Sequence, residues 1–167
     1  MKFKKIIIIL FLLNLNNSNV YAIEPDIFVQ STVNRASQVL SENISREEKI
    51  NKLKTIAKET VDIRGVGFYS LGSIRKNLNE DQKKEYSELF ERYFLKSFSS
   101  RLAEYTNPEI NVKSKEIVSK NYTIVNSLLV ATSSRPEVKI DWRIYTKDPN
   151  NPLIRDLIIE GLSLART

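Results

Sequence analysis

Cysteine and histidine are both absent from the 167 residues of this sequence. Their absence excludes structural disulfides, cysteine nucleophiles, zinc sites built on cysteine or histidine, and a serine–histidine–aspartate triad. Carboxylates and lysines are the residue types left for acid–base or nucleophilic chemistry. The length fits one domain, and it is sufficient for a hydrophobic core that needs no covalent cross-link.

Glycine is scarce, and three of the four glycines, Gly65, Gly67 and Gly72, lie within eight residues. They interrupt a segment, residues 61–77, whose apolar residues have roughly helical spacing. Because each glycine weakens a helix by about 1 kcal/mol relative to alanine, this segment predicts either a break in a helix or a close approach of backbones. A phosphate-binding loop is excluded, since no strand precedes the glycines and no Lys-Ser/Thr pair follows them at the required spacing.

Long hydrophobic runs are lacking as well. The longest is Ile6 to Leu13, and its eight residues are too few to span roughly 30 Å of hydrocarbon. Three lysines precede this run, and Val20-Tyr21-Ala22 follows it with residues suited to a cleavage site. The pattern predicts a secretory signal peptide over residues 1–22 and a single domain over residues 23–167. No cysteine follows the run, so a lipoprotein anchor is excluded.

The charge is mildly positive. The 26 basic and 20 acidic residues give +6, and loss of the three lysines of the predicted signal peptide lowers this value to +3. So small an excess does not indicate a nucleic-acid partner.

One long helix, residues 79–105, dominates the pattern. Asn79 and Gln82 form a capping pair at its start, and no glycine or proline interrupts it. Bulky apolar residues recur along it at three- and four-residue steps: Tyr86, Leu89, Phe90, Tyr93, Phe94, Phe98, Leu102 and Tyr105. This face is either the packed side of an ordinary core helix or the lining of a cavity for an apolar ligand.

Two helices precede this one and strands follow it. We predict a helix from Asp26, as its cap, to Glu42, and a second helix that begins at a capping box of Ser45 and Glu48. Alternating or β-branched residues predict strands over 110–118, 122–133, 138–145 and 153–165, the last with a kink at Gly161. Helices followed by strands with short turns predict an α+β fold with an antiparallel meander.

The residues Asp62, Leu71-Gly72 and the helix opening at Asn79 occur in this order before a terminal run, DLIIEGLSLAR, that contains Asp156, Glu160, Gly161 and Ser163. With this set, which spans nearly all of residues 23–167, the sequence resembles the MlaC family, also called toluene-tolerance or auxiliary-transport proteins. The terminal run is the most specific part of the resemblance.

The resemblance implies a soluble periplasmic phospholipid carrier that maintains the lipid asymmetry of the outer membrane. Its implied partners are an outer-membrane lipoprotein complex and the substrate-capturing subunit of an inner-membrane ABC transporter. The implied fold is NTF2-like, with N-terminal helices wrapped on a curved C-terminal sheet. No cofactor is implied, only phospholipid as cargo. Family members continue with a further C-terminal helix that is missing here, so the expectation is either a pocket that lacks one wall or a shortened protein with compromised function.

Two acyl chains of about fifteen methylenes would cost roughly 24 kcal/mol to expose to water, at about 0.8 kcal/mol per methylene. We therefore predict a closed, dry cavity between helices and sheet, and binding through the tails with little headgroup selectivity. The long helix and the strand 138–145 are expected to face each other across it, so that Ile144→Trp would block it without unfolding the protein. The predicted lipid contacts are Phe68, Leu71, Phe90, Phe94, Phe98, Val130, Ile140, Trp142, Ile144 and Ile158.

Two alternatives remain open at this point. One is an NTF2-like enzyme that acts on a small apolar substrate with Asp141 or Asp156 as general base. Because Asp141 alternates with apolar residues it is expected to face solvent, and Asp156 is expected to support the fold. The other alternative is a secreted binding module with a fully packed core.

Overall fold

The computed structural model describes residues 22–166, so the predicted signal peptide lies outside the described residues but for Ala22. The helices are α1 (Pro25–Ser41), α2 (Arg46–Thr60), α3 (Ile63–Ser70) and α4 (Glu80–Leu102), with a 3₁₀ turn at Gly72–Lys76 between the last two. The strands are β1 (Ile110–Ser119), β2 (Tyr122–Leu129), β3 (Val138–Tyr145), β4 (Leu153–Ile159) and β5 (Leu162–Ser163).

Two of the three predicted helix caps are confirmed. Ser45 with Glu48, and Asn79 with Gln82, form reciprocal capping boxes at the starts of α2 and α4. The prediction for α1 is wrong, because the helix begins at Pro25 and Asp26 lies within its first turn. Proline suits that first position, where its missing N–H would have no helical partner. Asp26 is therefore free to pair with a strand residue, Lys115.

The five strands form one sheet in the order β1-β2-β3-β4-β5, and each strand is antiparallel to its neighbour. The predicted α+β class and the antiparallel meander are confirmed. The predicted strand 153–165 is wrong as a single element, because Glu160 and Gly161 have φ values of 49° and 83° and turn the chain back onto β4. Such a two-residue turn with two positive φ values is the usual connection of a tight hairpin. The predicted strand 122–133 ends at Leu129.

Helix α1 covers one face of the sheet, and the principal core lies between them. Val29 and Val33, one turn apart on α1, pack on alternate residues of three strands: Val125, Leu129, Ile140, Trp142, Ile144 and Ile154. The Gln30 side chain fixes the helix to β1, because it donates to the Ile110 carbonyl at 3.3 Å and accepts from the Val112 N–H at 3.1 Å. We call this side of the sheet the covered face and the other side the open face.

Helix α4 packs on α2 and α3. At its C-terminal end, Leu102 joins a small core between α1 and α2, and nearer its centre Leu95 joins Ala57 and Ile63 in another. No helix within residues 22–166 has the length and apolar character needed to cross a membrane.

Candidate functional site

The ten predicted lipid contacts fall into two groups in the structure. Ile140, Trp142 and Ile144 are at most 8% exposed and lie on the covered face, in the core beneath α1. The polar atom in this group is satisfied, because the Trp142 indole donates to the Ser127 hydroxyl at 2.8 Å. These three residues are thus packed against aliphatic side chains of α1 and not against the phenylalanines of α4. The predicted pairing of strand 138–145 with the long helix is wrong.

The other seven predicted residues are all half-buried: Phe68, Leu71, Phe90, Phe94, Phe98, Val130 and Ile158. Five of them belong to α3, α4 and the bend between α3 and the 3₁₀ turn. Val130 directly follows β2, and Ile158 lies opposite Asp141 in the β3–β4 pair. Half-buried apolar residues keep surface that a ligand could still cover, whereas the fully buried group above does not.

A continuous row of neighbouring aromatic rings connects α3 with α4, and we call it the aromatic ladder. It consists of Phe68, Tyr86, Phe90, Phe94 and Phe98. Successive ring centroids are 6.1, 5.7, 6.1 and 5.2 Å apart, which is the usual range for favourable aromatic pairs. Four of the rings recur at every fourth residue of α4, and this spacing places them above one another on the same helical face.

Glycine brings the two helices together at this ladder. A Cβ atom on Gly67 would lie 2.8 Å from the Phe90 ring, so no larger residue would fit there without moving that ring. The Tyr86 hydroxyl donates to the Gly67 carbonyl at 3.1 Å and fixes the next ring along. This close approach is one of the two outcomes that the glycine-rich segment predicts. Tyr86 was absent from the predicted contacts, although its spacing from Phe90 and Phe94 in the sequence already placed it in the same row.

The open face of the sheet mixes apolar and polar side chains. Strand alternation and the strand register place a half-buried set there: Tyr122, Ile124, Asn126, Leu128, Asp141, Arg143, Tyr145, Leu153 and Ile158. Helix α3 touches this face, because the Arg143 guanidinium lies 3.4 Å from the Tyr69 hydroxyl. Tyr69 directly follows Phe68, the first ring of the aromatic ladder, so α3 joins the ladder to the open face.

The start of α3 is clamped to β4 by an ion pair. The Asp62 carboxylate accepts from the Gly65 N–H at 2.8 Å as the helix cap and also pairs with Arg155. Arg155 in turn donates to the Tyr122 hydroxyl at 2.9 Å and lies over the Tyr145 ring. Asp62 belongs to the motif that the resemblance rests on, and this clamp gives it a structural role.

Both candidate general bases are engaged in bonds within the protein. Asp156 is 4% exposed, and its two carboxylate oxygens accept from the Ser163 hydroxyl at 2.6 Å and the Ala165 N–H at 3.1 Å. It therefore supports the fold, as predicted. The expectation that Asp141 faces solvent is wrong. Its side chain is only 16% exposed. The Asn126 amide donates a hydrogen bond to its carboxylate at 2.8 Å, and Lys139 forms an ion pair with it at 3.3 Å.

Two open depressions lie on the surface of the described residues, and neither is lined by any of the ten predicted contacts. One of about 360 Å³ lies along the outside of α1. The other, of about 550 Å³, lies between α2 and α4 and is lined by Lys54, Thr55, Lys58, Arg92, Leu95, Lys96 and Ser100. Neither is the predicted closed cavity between helices and sheet. Within residues 22–166 no cluster of three or more acidic residues could hold a metal ion.

The fold occurs among solved structures. The structure of a phospholipid-binding protein from Ralstonia solanacearum, in complex with a phospholipid, is similar with a TM-score of 0.70 at 17% sequence identity. The match covers 86% of this chain and 82% of that one. No curated protein matches the sequence.

The family comparison agrees with the motifs in the sequence. The model of the MlaC protein family matches residues 30–167, which include the whole of α2 to β5 and most of α1. A match over so large a part of the sequence establishes the relationship. The chain belongs to the MlaC family.

Proposed function

We propose that this protein is a periplasmic phospholipid carrier and not an enzyme. Family membership supports the proposal, as does the similar fold of a protein from Ralstonia solanacearum whose structure contains a phospholipid. The observation that carries it is the aromatic ladder, a row of five rings of which none is fully buried. The alternative of an enzyme loses support, because Asp141 and Asp156 are occupied by bonds within the fold.

The ladder suits acyl chains for a physical reason. Each methylene removed from water contributes about 0.8 kcal/mol, so tails gain most where they lie along a long and unbroken apolar surface. Stacked rings provide such a surface without hydrogen-bonding groups along their faces. We infer that the tails contact the seven half-buried residues of the predicted set, together with Tyr86, and not Ile140, Trp142 and Ile144.

A carrier needs a donor and an acceptor for its lipid. We propose that these are the outer-membrane lipoprotein complex and the substrate-capturing subunit of the inner-membrane ABC transporter, so that transfer between them maintains outer-membrane lipid asymmetry. Exposure of two tails to water would cost roughly 24 kcal/mol, at about 0.8 kcal/mol per methylene. Release therefore requires a partner that offers an apolar path.

Extraction of the protein with organic solvent tests the proposal. Protein purified from a bacterial periplasm should yield phospholipid, and native mass spectra should contain the corresponding adducts. Phe94→Ala should lower the lipid content severalfold, because it removes a ring from the middle of the ladder. Tyr93→Ala is the matched control, since the adjacent Tyr93 side chain is 69% exposed and lies outside the ladder.

Lipid-free wild-type protein, under conditions that preserve lipid adducts on related carriers, would contradict the proposed function. Equal lipid content in the wild type and in Phe94→Ala would contradict the position of the tails and leave the carrier function in place. Circular dichroism of both variants establishes that the comparison concerns folded protein.

A further inference from the structure

Arg143 is a half-buried cation on the open face that forms no ion pair with any residue in the described range 22–166. Its Nε atom is buried without a hydrogen-bond partner in the same range. Among the described residues its side chain makes one contact of hydrogen-bond type, a long one of 3.4 Å to the Tyr69 hydroxyl. A charge removed from water without a counter-charge is costly, so this arrangement favours binding of an anion.

Neither neighbouring carboxylate forms an ion pair with Arg143 in the described residues. Asp156 lies opposite Arg143 in the β3–β4 pair, and its two carboxylate oxygens accept from the Ser163 hydroxyl and the Ala165 N–H. Asp141 pairs with Lys139 on the same strand. Arg155, by contrast, has Asp62 as its counter-ion and is a structural cation.

A second guanidinium, that of Arg166, lies on the other side of the same tyrosine. The Arg166 guanidinium carbon is 4.9 Å from the centroid of the Tyr69 ring, and Arg166 is exposed. Tyr69 is thus contacted by Arg143 at its hydroxyl and by Arg166 at its ring face. The two guanidinium groups provide several donors in the fork geometry that matches phosphate oxygens, and the Tyr69 hydroxyl adds one more.

We propose that Arg143, Arg166 and the Tyr69 hydroxyl form an anion subsite that binds the phosphate of the lipid headgroup. This inference rests on the proposed carrier function. Tyr69 directly follows Phe68, so a phosphate bound here lies at the end of the aromatic ladder where the tails begin. The subsite recognises the phosphate that phospholipids share and not the alcohol attached to it. It therefore agrees with little selectivity among headgroups, while it disfavours a lipid that has no phosphate.

A comparison of two lipids with identical tails tests the subsite. Delipidated protein is offered phosphatidylglycerol and diacylglycerol in mixed micelles, and bound lipid is counted by native mass spectrometry. The wild type should prefer phosphatidylglycerol at least tenfold, since hydrogen bonds from arginine to a charged phosphate are stronger than those between neutral groups. Arg143→Gln and Arg166→Gln should each reduce that preference severalfold and leave diacylglycerol binding unchanged. Arg75→Gln, in the exposed 3₁₀ turn, is the matched control and should behave as the wild type.

The charge-preserving Arg143→Lys and the deletion of one hydroxyl in Tyr69→Phe separate recognition from folding. Both substitutions nearly retain the size of the side chain, so the melting temperature of each variant should be close to that of the wild type. Arg143→Lys should also retain part of the preference for phosphatidylglycerol. A wild type without preference, or variants that lose both lipids equally, would overturn the subsite while the carrier function stands. Failure of the wild type to bind either lipid would instead overturn the proposed function. A third outcome would be saturable binding of inorganic phosphate that requires Arg143, while Arg143→Gln leaves the preference for phosphatidylglycerol unchanged. The bound anion would then not be the lipid headgroup.

Discussion

Ile144 is the largest of the fully buried side chains in the described part of the protein, and it belongs to the same core as Val29 and Val33 of α1 and Ile154 of β4. Its exposed fraction is 0%. We expect Ile144→Trp to destabilise the protein by about 1–3 kcal/mol, because extra atoms in a packed core force strained side chains or backbone shifts. The lipid content of the molecules that fold should not change. Urea unfolding of delipidated protein measures the first effect, and solvent extraction the second.

Ile158→Trp serves as the comparison, because Ile158 is half-buried on the open face and remains a proposed lipid contact. This variant should lose little stability and should bind less lipid. A stable Ile144→Trp variant with reduced lipid would mean that a tail lies beneath α1 after all, which is the arrangement predicted from the sequence.

The reason for that wrong prediction can be stated for these residues. Strict alternation in β3 correctly places Ile140, Trp142 and Ile144 on one face of the sheet, since successive side chains of a strand point to opposite sides. Alternation does not reveal which helix covers that face. Both α1 and α4 carry apolar stripes of suitable spacing, and the choice depends on long-range contacts, such as those of Gln30 with β1, that have no local sequence signal.

At the scale of elements, the local signals are reliable where a few adjacent residues decide the structure. The capping boxes of α2 and α4 and the limits of β3 follow from short patterns and are confirmed. The hairpin at Glu160-Gly161 could not be distinguished from a kink, because glycine suits both and Glu160 gives no sign of its positive φ. The aromatic ladder was visible as a spacing, but its stacking onto α3 depends on Gly67 and needed the structure.

The start of α1 is fixed to the sheet by charge. Lys115 on β1 donates to the Asp26 carboxylate at 2.7 Å and also pairs with Glu24. The hydrogen bond from Lys115 holds the pKa of Asp26 below its ordinary value, and the bonds to Asp26 and Glu24 raise the pKa of Lys115. The pair connects residues 89 positions apart in the sequence, so it stabilises the docking of α1 and not either element alone.

The sign of the pH dependence follows from these directions. A carboxyl group with a lowered pKa in the folded state contributes stability above its ordinary pKa, and that contribution is lost as the pH falls through the folded value. We expect Asp26→Asn to be less stable than the wild type at neutral pH, with a difference that shrinks as the pH falls below about 4. Urea unfolding from neutral to strongly acidic pH measures this convergence. Glu85→Gln, an exposed carboxylate on α4, is the control. A difference that is constant across the range would mean that the ion pair does not contribute.

For the whole molecule, the arrangement separates two tasks. The core beneath α1 holds the sheet together with fully buried aliphatic residues, whereas α3 and α4 present a half-buried aromatic row attached to the sheet through α3. The order of the elements was enough to predict the α+β class, and the motifs in the sequence were enough to predict the family. They could not predict this division, because it depends on which of several apolar faces pack against one another.

Because the core beneath α1 and the aromatic ladder are separate, lipid binding and core packing should affect stability independently. A ligand that binds only the folded state stabilises it by RT ln(1 + [L]/Kd), about 2.7 kcal/mol when the free ligand is a hundredfold above Kd. For a domain of this size the corresponding increase in melting temperature is roughly 5–10 °C. We therefore expect phospholipid to raise the melting temperature of delipidated wild-type protein by this amount. In Phe94→Ala the increase should be much smaller, because the ligand loses part of its surface.

Ile144→Ala provides the opposite case. It should lower the melting temperature of the lipid-free protein strongly, since deletion of a buried isoleucine side chain typically costs about 2–5 kcal/mol. The further increase on addition of lipid should nevertheless equal that of the wild type, because the packed core and the ladder lie in separate parts of the fold. Differential scanning calorimetry with and without phosphatidylglycerol measures both quantities on the same sample. A lipid-induced increase that disappears in Ile144→Ala but persists in Phe94→Ala would place the tails in the core beneath α1 and reject the ladder as their binding surface.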